Sequence, residues 1–204
     1  MIIKNFRSGL LHNNNYLVYD EESKEALLID CTEENTQISN FIDENNLHLK
    51  YILLTHGHFD HFLGIDFFRK KYSVEAFLHE KDAPLLPNIN LFLDLVNLPH
   101  RCPPKITQFF NKTNIFTLGK EKVKIYETPG HSPGGSCFLI QDSLFSGDTL
   151  FRNTHGRTDF FGCDDRQMQK SLKLLVENLP EDVKVFPGHG SPTTIGQEKS
   201  LYSF

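Results

Sequence analysis

Three imidazoles and a carboxylate fall within the span His56 to His61, in the sequence Thr55-His56-Gly57-His58-Phe59-Asp60-His61. The apolar run Tyr51-Ile52-Leu53-Leu54 comes directly before it, so a strand delivers all four groups into one loop. His56 and His58 are two apart and face the same side of an extended segment, while Asp60 and His61 follow as the chain turns toward a helix. One loop can thus offer His56 and His58 to one metal ion and Asp60 and His61 to a neighbour. Neutral imidazole and carboxylate suit borderline divalent ions such as zinc, iron or manganese. A single histidine beside an apolar strand is usually structural, but packing alone has no use for four titratable groups at this spacing.

Further candidates stand at the same kind of place, just past an apolar strand. His131 follows Val123 to Tyr126 within Thr128-Pro129-Gly130-His131-Ser132-Pro133-Gly134; Asp148 follows Ser143 to Ser146 within Gly147-Asp148-Thr149; His189 follows Val183 to Phe186 within Pro187-Gly188-His189-Gly190. Glycines at such points let backbone approach a small ion closely. His56, His58, Asp60, His61, His131, Asp148 and His189 are too many for one four-coordinate ion and about right for two ions sharing a bridging carboxylate and a bridging water. Asp30 ends an earlier strand and is either an acceptor behind the metal loop or a solvated strand end. Arg157 and Asp159 either pair to tie the loop after Asp148 to the ligand loops, or leave Arg157 to meet a substrate carboxylate.

The elements that must position these groups alternate along the chain. Tyr16 to Tyr19 and Ala26 to Asp30 flank a polar turn and read as a hairpin. Residues 32 to 47 read as a surface helix with Ile38, Phe41 and Ile42 on one side and Thr32 as N-cap. Residues 61 to 71 read as a helix after the metal loop, and 75 to 78 as a short strand. Residues 84 to 114 carry five prolines and read as an irregular stretch that could cover the metal loop. A strand-rich block from Ile115 to Ser146 follows, then an amphipathic helix over 164 to 178 with Met168, Leu172, Leu175 and Val176 on one side, then the strand before His189. The order hairpin, helix, strand, ligand loop occurs about twice without a residue-level repeat. Two such halves packing two mixed sheets face to face, helices outside, give an α/β four-layer αββα sandwich.

Composition narrows the classes. The chain has 204 residues, with 18 Phe, no Trp and a net charge of −5. One domain with a phenylalanine-rich core fits that length. No basic patch marks a nucleic-acid binder, and no run approaches the roughly 18 apolar residues of a membrane span. The chain is expected in the cytoplasm with no membrane partner. Cys31, Cys102, Cys137 and Cys163 form no C-x-x-C pair and are expected as buried free thiols. Ser132, Ser136 and Ser146 lack the G-x-S-x-G setting of a serine hydrolase.

The H-x-H-x-D-H loop, Gly-His131, Gly-Asp148-Thr and Pro-Gly-His189-Gly together resemble the metallo-β-lactamase superfamily. Gly147 to Phe151, Gly156-Arg157-Thr158-Asp159 and Pro187 to Gly190 with Thr193 to Lys199 are most similar to its short glyoxalase II-like (hydroxyacylglutathione hydrolase-like) members. The resemblance implies one metal on His56, His58 and His131, a second on Asp60, His61 and His189, and Asp148 bridging both. It implies a single domain over 1–204, without the C-terminal helical domain that holds glutathione in long glyoxalase II enzymes. Asp148 stands where the best-known zinc lactamases use cysteine.

The expected reaction is hydrolysis of a thioester such as S-lactoylglutathione to a 2-hydroxy acid and a thiol. A hydroxide bridging two divalent ions, zinc in the first instance with iron or manganese as alternatives, attacks the carbonyl while Asp60 orients it. A thiolate leaves without a strong general acid. The alternative is a mononuclear iron persulfide dioxygenase on the same fold, using His56, His131 and Asp148; a lactonase or other ester hydrolase is a further one. The expected partner is a small-molecule thioester, with no nucleic acid, and the oligomeric state is left open.

Overall fold

The computed structural model describes residues 1–202. Its first sheet takes six strands in chain order, β1 (Ile2–Ser8), β2 (Asn13–Tyr19), β3 (Glu25–Ile29), β4 (His48–Leu53), β5 (Ala76–His79) and β6 (Gln108–Phe110). The first three run antiparallel and the rest parallel, so the sheet is mixed. The strands β7 (Phe116–Leu118), β8 (Glu121–Glu127), β9 (Ser136–Ile140), β10 (Ser143–Gly147), β13 (Lys184–Pro187) and β14 (Thr193–Thr194) build the second sheet. Between β10 and β13 lie the small hairpin β11 (Leu150–Phe151) and β12 (Thr154–His155) and the helix α5 (Asp165–Asn178).

Period-2 alternation sorts the strand residues into layers. Tyr16, Val18, Leu27 and Ile29 point into a core shared with Phe116, Phe138 and Phe145 of the second sheet. Their neighbours Leu17, Tyr19, Ala26 and Leu28 point the other way, onto the helices α1 (Thr36–Glu44) and α3 (Ile65–Tyr72) through Ile38, Ile42 and Phe68. On the far side, Leu144 and Val185 meet Met168, Leu172 and Leu175 of α5. The result is the four-layer αββα sandwich, and the ligand loops all leave the same strand ends.

Several local expectations change. The first helix starts at Thr36, capped by Asn35, whose side chain accepts from the N–H groups of Gln37 and Ile38. Thr32 is not the cap: its N–H is held by Asn15 Oδ1 at 2.8 Å at the strand end, and the helical turn begins only after Asn35. The helix read over 61 to 71 is two pieces, α2 (Phe59–Phe62) and α3, broken where the Gly64 N–H donates to the Cys31 carbonyl at 2.9 Å. Residues 84 to 114 are more regular than their prolines suggested: a 3₁₀ segment (Glu80–Asn88) accommodates Pro84 and Pro87, α4 (Ile89–Leu95) buries Ile89, Phe92 and Leu93, and β6 extends the sheet. The thiols also divide, with Cys31 and Cys137 buried, Cys163 half-buried and Cys102 exposed. No helix among the described residues is long and apolar enough to cross a membrane.

Candidate metal centre

β4 ends at Leu53, and the next turn carries His56 and His58 before α2 presents Asp60 and His61. His131 leaves the segment after β8, Asp148 the end of β10 and His189 the end of β13. All seven side chains meet. The ligand atoms of His56, His58 and His131 form one group, those of Asp60, His61 and His189 another, and His56, His61 and Asp148 a third that lies across them; within each group the atoms are no more than 4.8 Å apart.

Hydrogen bonds fix which ring nitrogen is free. A carbonyl can only accept, so His131 Nδ1, 2.9 Å from the Arg157 carbonyl, and His189 Nδ1, 3.1 Å from the Leu11 carbonyl, each carry hydrogen. His61 Nδ1 likewise donates to Asp30 Oδ2 at 2.8 Å. In each ring the Nε2 lone pair then faces the centre, the arrangement a metal-binding histidine needs. Asp30 also accepts from the Thr55 N–H at 2.8 Å, so it braces the loop as well as the ring. Of the two readings of Asp30, the structure shows the buried acceptor.

Asp148 sits between the groups. Its Oδ2 lies 3.5 Å from His131 Nε2 and 3.5 Å from His189 Nε2, and its Oδ1 lies 3.6 Å from His61 Nε2. Asp148 Oδ1 and His56 Nε2 are buried without a hydrogen-bond partner among the described residues. A buried polar atom left unpaired is costly, by about 1–3 kcal/mol. A histidine lone pair and a carboxylate oxygen turned inward and left unpaired fit a divalent cation, which would replace the missing partners.

The charge balance points the same way. Burial opposes charge on His61, but the carboxylates of Asp30, Asp60 and Asp148 outweigh it and raise its pKa to about 10. His189 is raised too, burial being outweighed by its bond to Asp60. Burial and neighbouring imidazoles hold His56 well below the ordinary value, and burial with His131 does the same to His58. Asp60 is lowered despite its burial, by His61, His189 and Asn13. Anionic charge thus gathers in the group of Asp60, His61 and His189, where protons occupy places that cations could take.

Sequence reasoning passed over three supporting side chains. Asn13 Nδ2 donates to Asp60 Oδ2 at 2.8 Å and lies 3.2 Å from His61 Nε2. The signal was there in Asn13-Asn14-Asn15, since a run of amides is unusual inside a buried strand. Asn14 holds the Pro187 and Gly190 carbonyls on either side of His189. Asp82 is wholly buried, accepting from Gly57, Ser132 and Gly134.

Arg157 and Asp159 pair with each other, and Arg157 also lines the cleft over the cluster. The pair is two-pronged, at 2.7 and 3.0 Å, and both side chains are exposed. That pair stays within one segment, so it ties nothing to the ligand loops; the backbone carbonyl of Arg157 makes that link through His131. The Arg157 guanidinium lies 5.0 Å from the Phe160 ring centroid.

Above the cluster opens a cleft of about 460 Å³, floored by His58, Asp60, His131, Asp148 and His189 and walled by Phe92, Leu95, Phe151 and Phe160. Phe92 and Leu95 come from α4, so the stretch expected as a cover does form one wall.

Comparison with known proteins places this geometry. The model of the metallo-β-lactamase superfamily matches residues 8–189. The hydroxyacylglutathione hydrolase GloC of Haemophilus influenzae is 35% identical over 192 residues, covering 92% of this chain and 90% of its own. Among solved structures, the BLEG-1 B3 metallo-β-lactamase superposes with a TM-score of 0.89 at 33% identity, covering 98% of this chain and 97% of its own. TTHA1623 in a di-iron-bound form gives 0.83 at 34% identity, with 96% of both chains covered. The fold, the inward-turned imidazoles and these matches agree: the chain belongs to the metallo-β-lactamase superfamily.

Proposed function

We propose that this chain is a dinuclear metal-dependent hydrolase that cleaves a thioester of the S-lactoylglutathione class to a 2-hydroxy acid and a thiol. The observation that carries the reading is Asp148, whose two oxygens lie 3.5 to 3.6 Å from imidazole nitrogens of both ligand groups. His56, His58 and His131 would hold one ion, Asp60, His61 and His189 the other, and Asp148 would touch both. Bound there, the two ions would supply a nucleophilic water at neutral pH and a Lewis acid for the substrate carbonyl.

The chain's own residues do the rest. Asp60, held by Asn13, orients the attacking water by accepting its hydrogen bond. Asp30 keeps the His61 ring turned with Nε2 inward. Phe92 and Phe160 exclude bulk water from one side of the cleft and pack an acyl group against His58, whose ring centroid lies 4.9 and 5.1 Å from theirs. Among the described residues that line the cleft, every imidazole and carboxylate is a ligand candidate, which leaves none free to protonate a leaving group once ions are held and suits a thiolate, whose conjugate thiol has a pKa near 8.5. The GloC relative supports the thioester, and the di-iron-bound form of TTHA1623 supports a centre of two ions.

BLEG-1 motivates a second reading, opening of a β-lactam ring in the same cleft. The dioxygenase reading needs only His56, His131 and Asp148, and leaves the Asp60, His61 and His189 group without a use. Thiol release from S-lactoylglutathione should appear on metal loading and vanish with a chelator, and exceed cleavage of a chromogenic cephalosporin. Cephalosporin turnover with no thiol release would put the lactamase reading first.

A further inference from the structure

Two loops that carry imidazoles converge on one buried carboxylate. Asp82 stands in the 3₁₀ segment after β5 and is wholly enclosed. The Gly57 N–H donates to its Oδ2 at 2.8 Å, the Ser132 hydroxyl donates to the same oxygen at 2.8 Å, and the Gly134 N–H donates to Oδ1 at 2.5 Å. Gly57 separates His56 from His58, and Ser132 and Gly134 follow His131. Three donors satisfy a carboxylate that would otherwise be expensive to bury.

The packing is as close as the bonding. A Cβ on Gly57 would lie 3.1 Å from Asp82 Cβ, and one on Gly134 only 2.8 Å from Asp82 Cγ. A side chain at position 134 would therefore collide with Asp82, and one at position 57 would crowd it. The other ligand group is braced by Asn13 on Asp60 and by Asp30 on His61, and Asp30 also reaches His56 through Thr55, the residue before it. The chain from Asp82 continues into α4, whose Phe92 packs on His58.

We propose that Asp82 is a positioning residue for one half of the metal centre, setting the spacing of His56, His58 and His131 while Asn13 sets the other half and Asp30 touches both. The inference rests on the reading that the two groups hold separate ions. Asp82→Asn keeps the shape but sets an amide N–H against a donor, since three donors cannot all be met by one amide oxygen.

The test is zinc affinity of the full chain by chelator competition, with both dissociation constants resolved. Asp82→Asn should weaken one zinc by about 10–100-fold, the effect of losing a group that holds ligands in place, and leave the other unchanged. Asn13→Ala should weaken the other zinc instead. Ser132→Ala removes a single donor and should weaken the same zinc as Asp82→Asn by less, and it decides the matter if Asp82→Asn does not fold. Wild-type protein that binds two zinc ions, with both weakened equally or neither weakened in the variants, overturns the positioning role. Wild-type protein that binds fewer than two removes the dinuclear reading, and this inference with it.

Discussion

His61 is fully enclosed and answers to three carboxylates. With its pKa raised to about 10, from an ordinary value near 6.5, it stabilises the metal-free fold fully below about pH 6.5, and that contribution fades as pH rises through about 10. The depressed pKa values of His56 and His58 act oppositely, withdrawing stability as pH falls below about 6.5. Metal-free protein should therefore unfold at lower urea both at pH 5 and at pH 9.5 than near pH 7; a midpoint rising steadily from pH 7 to 9.5 would refute the His61 assignment. Because ligand nitrogens must shed protons to bind metal, zinc titration at pH 7.5 should release protons, seen calorimetrically as a dependence on buffer ionisation enthalpy. Asp148→Ala should lose at least one ion and more than about 100-fold in turnover, since even residues behind the ligands are worth 10–100-fold. The seven ligand candidates were legible in the sequence because each lies in a loop or turn that follows an apolar strand. Asn13 left a trace only in its run of amides, and Asp82 left none, because a hydrogen bond across 25 residues has no local sequence mark.

At the scale of elements, helix ends and the inter-sheet core carry separable stability. Asn35 caps α1 with two backbone donors, so Asn35→Ala should lower stability by about 1 kcal/mol in urea unfolding. Phe138 is wholly buried between the sheets, its ring 5.7 Å from that of Phe110; Phe138→Ala should lower stability by about 3–5 kcal/mol, with metal stoichiometry retained in the folded fraction. A smaller loss from Phe138→Ala than from Asn35→Ala would contradict the core assignment. Strands and the long helix were readable because Tyr16 to Tyr19 form an apolar run rich in β-formers and Met168, Leu172 and Leu175 recur at helical spacing. The region from 84 to 114 was not, because Pro84 and Pro87 obscure the i, i+3, i+4 pattern of Ile89, Phe92 and Leu93, and proline is tolerated in a 3₁₀ turn that needs fewer donors.

Across the whole molecule, the sandwich brings loops from both sheets to one rim, and neither sheet holds a complete centre. The first contributes Asn13, His56, His58, Asp60 and His61, the second His131, Asp148 and His189. Tyr16 crosses between them, donating from β2 to the Pro187 carbonyl at 2.7 Å, two residues before His189. Metal bound across the rim should tie the sheets together and raise the thermal midpoint, because a ligand bound only to the folded state stabilises it by mass action. The most direct test of the central claim is zinc or iron bound per chain, counted by elemental mass spectrometry during stepwise reloading of chelated protein, with S-lactoylglutathione hydrolysis followed alongside. Saturation at two ions per chain, with hydrolysis appearing as the centre fills, is the expected result. Saturation at one ion, or full metal loading with no thiol released from any thioester, would contradict the dinuclear thioesterase.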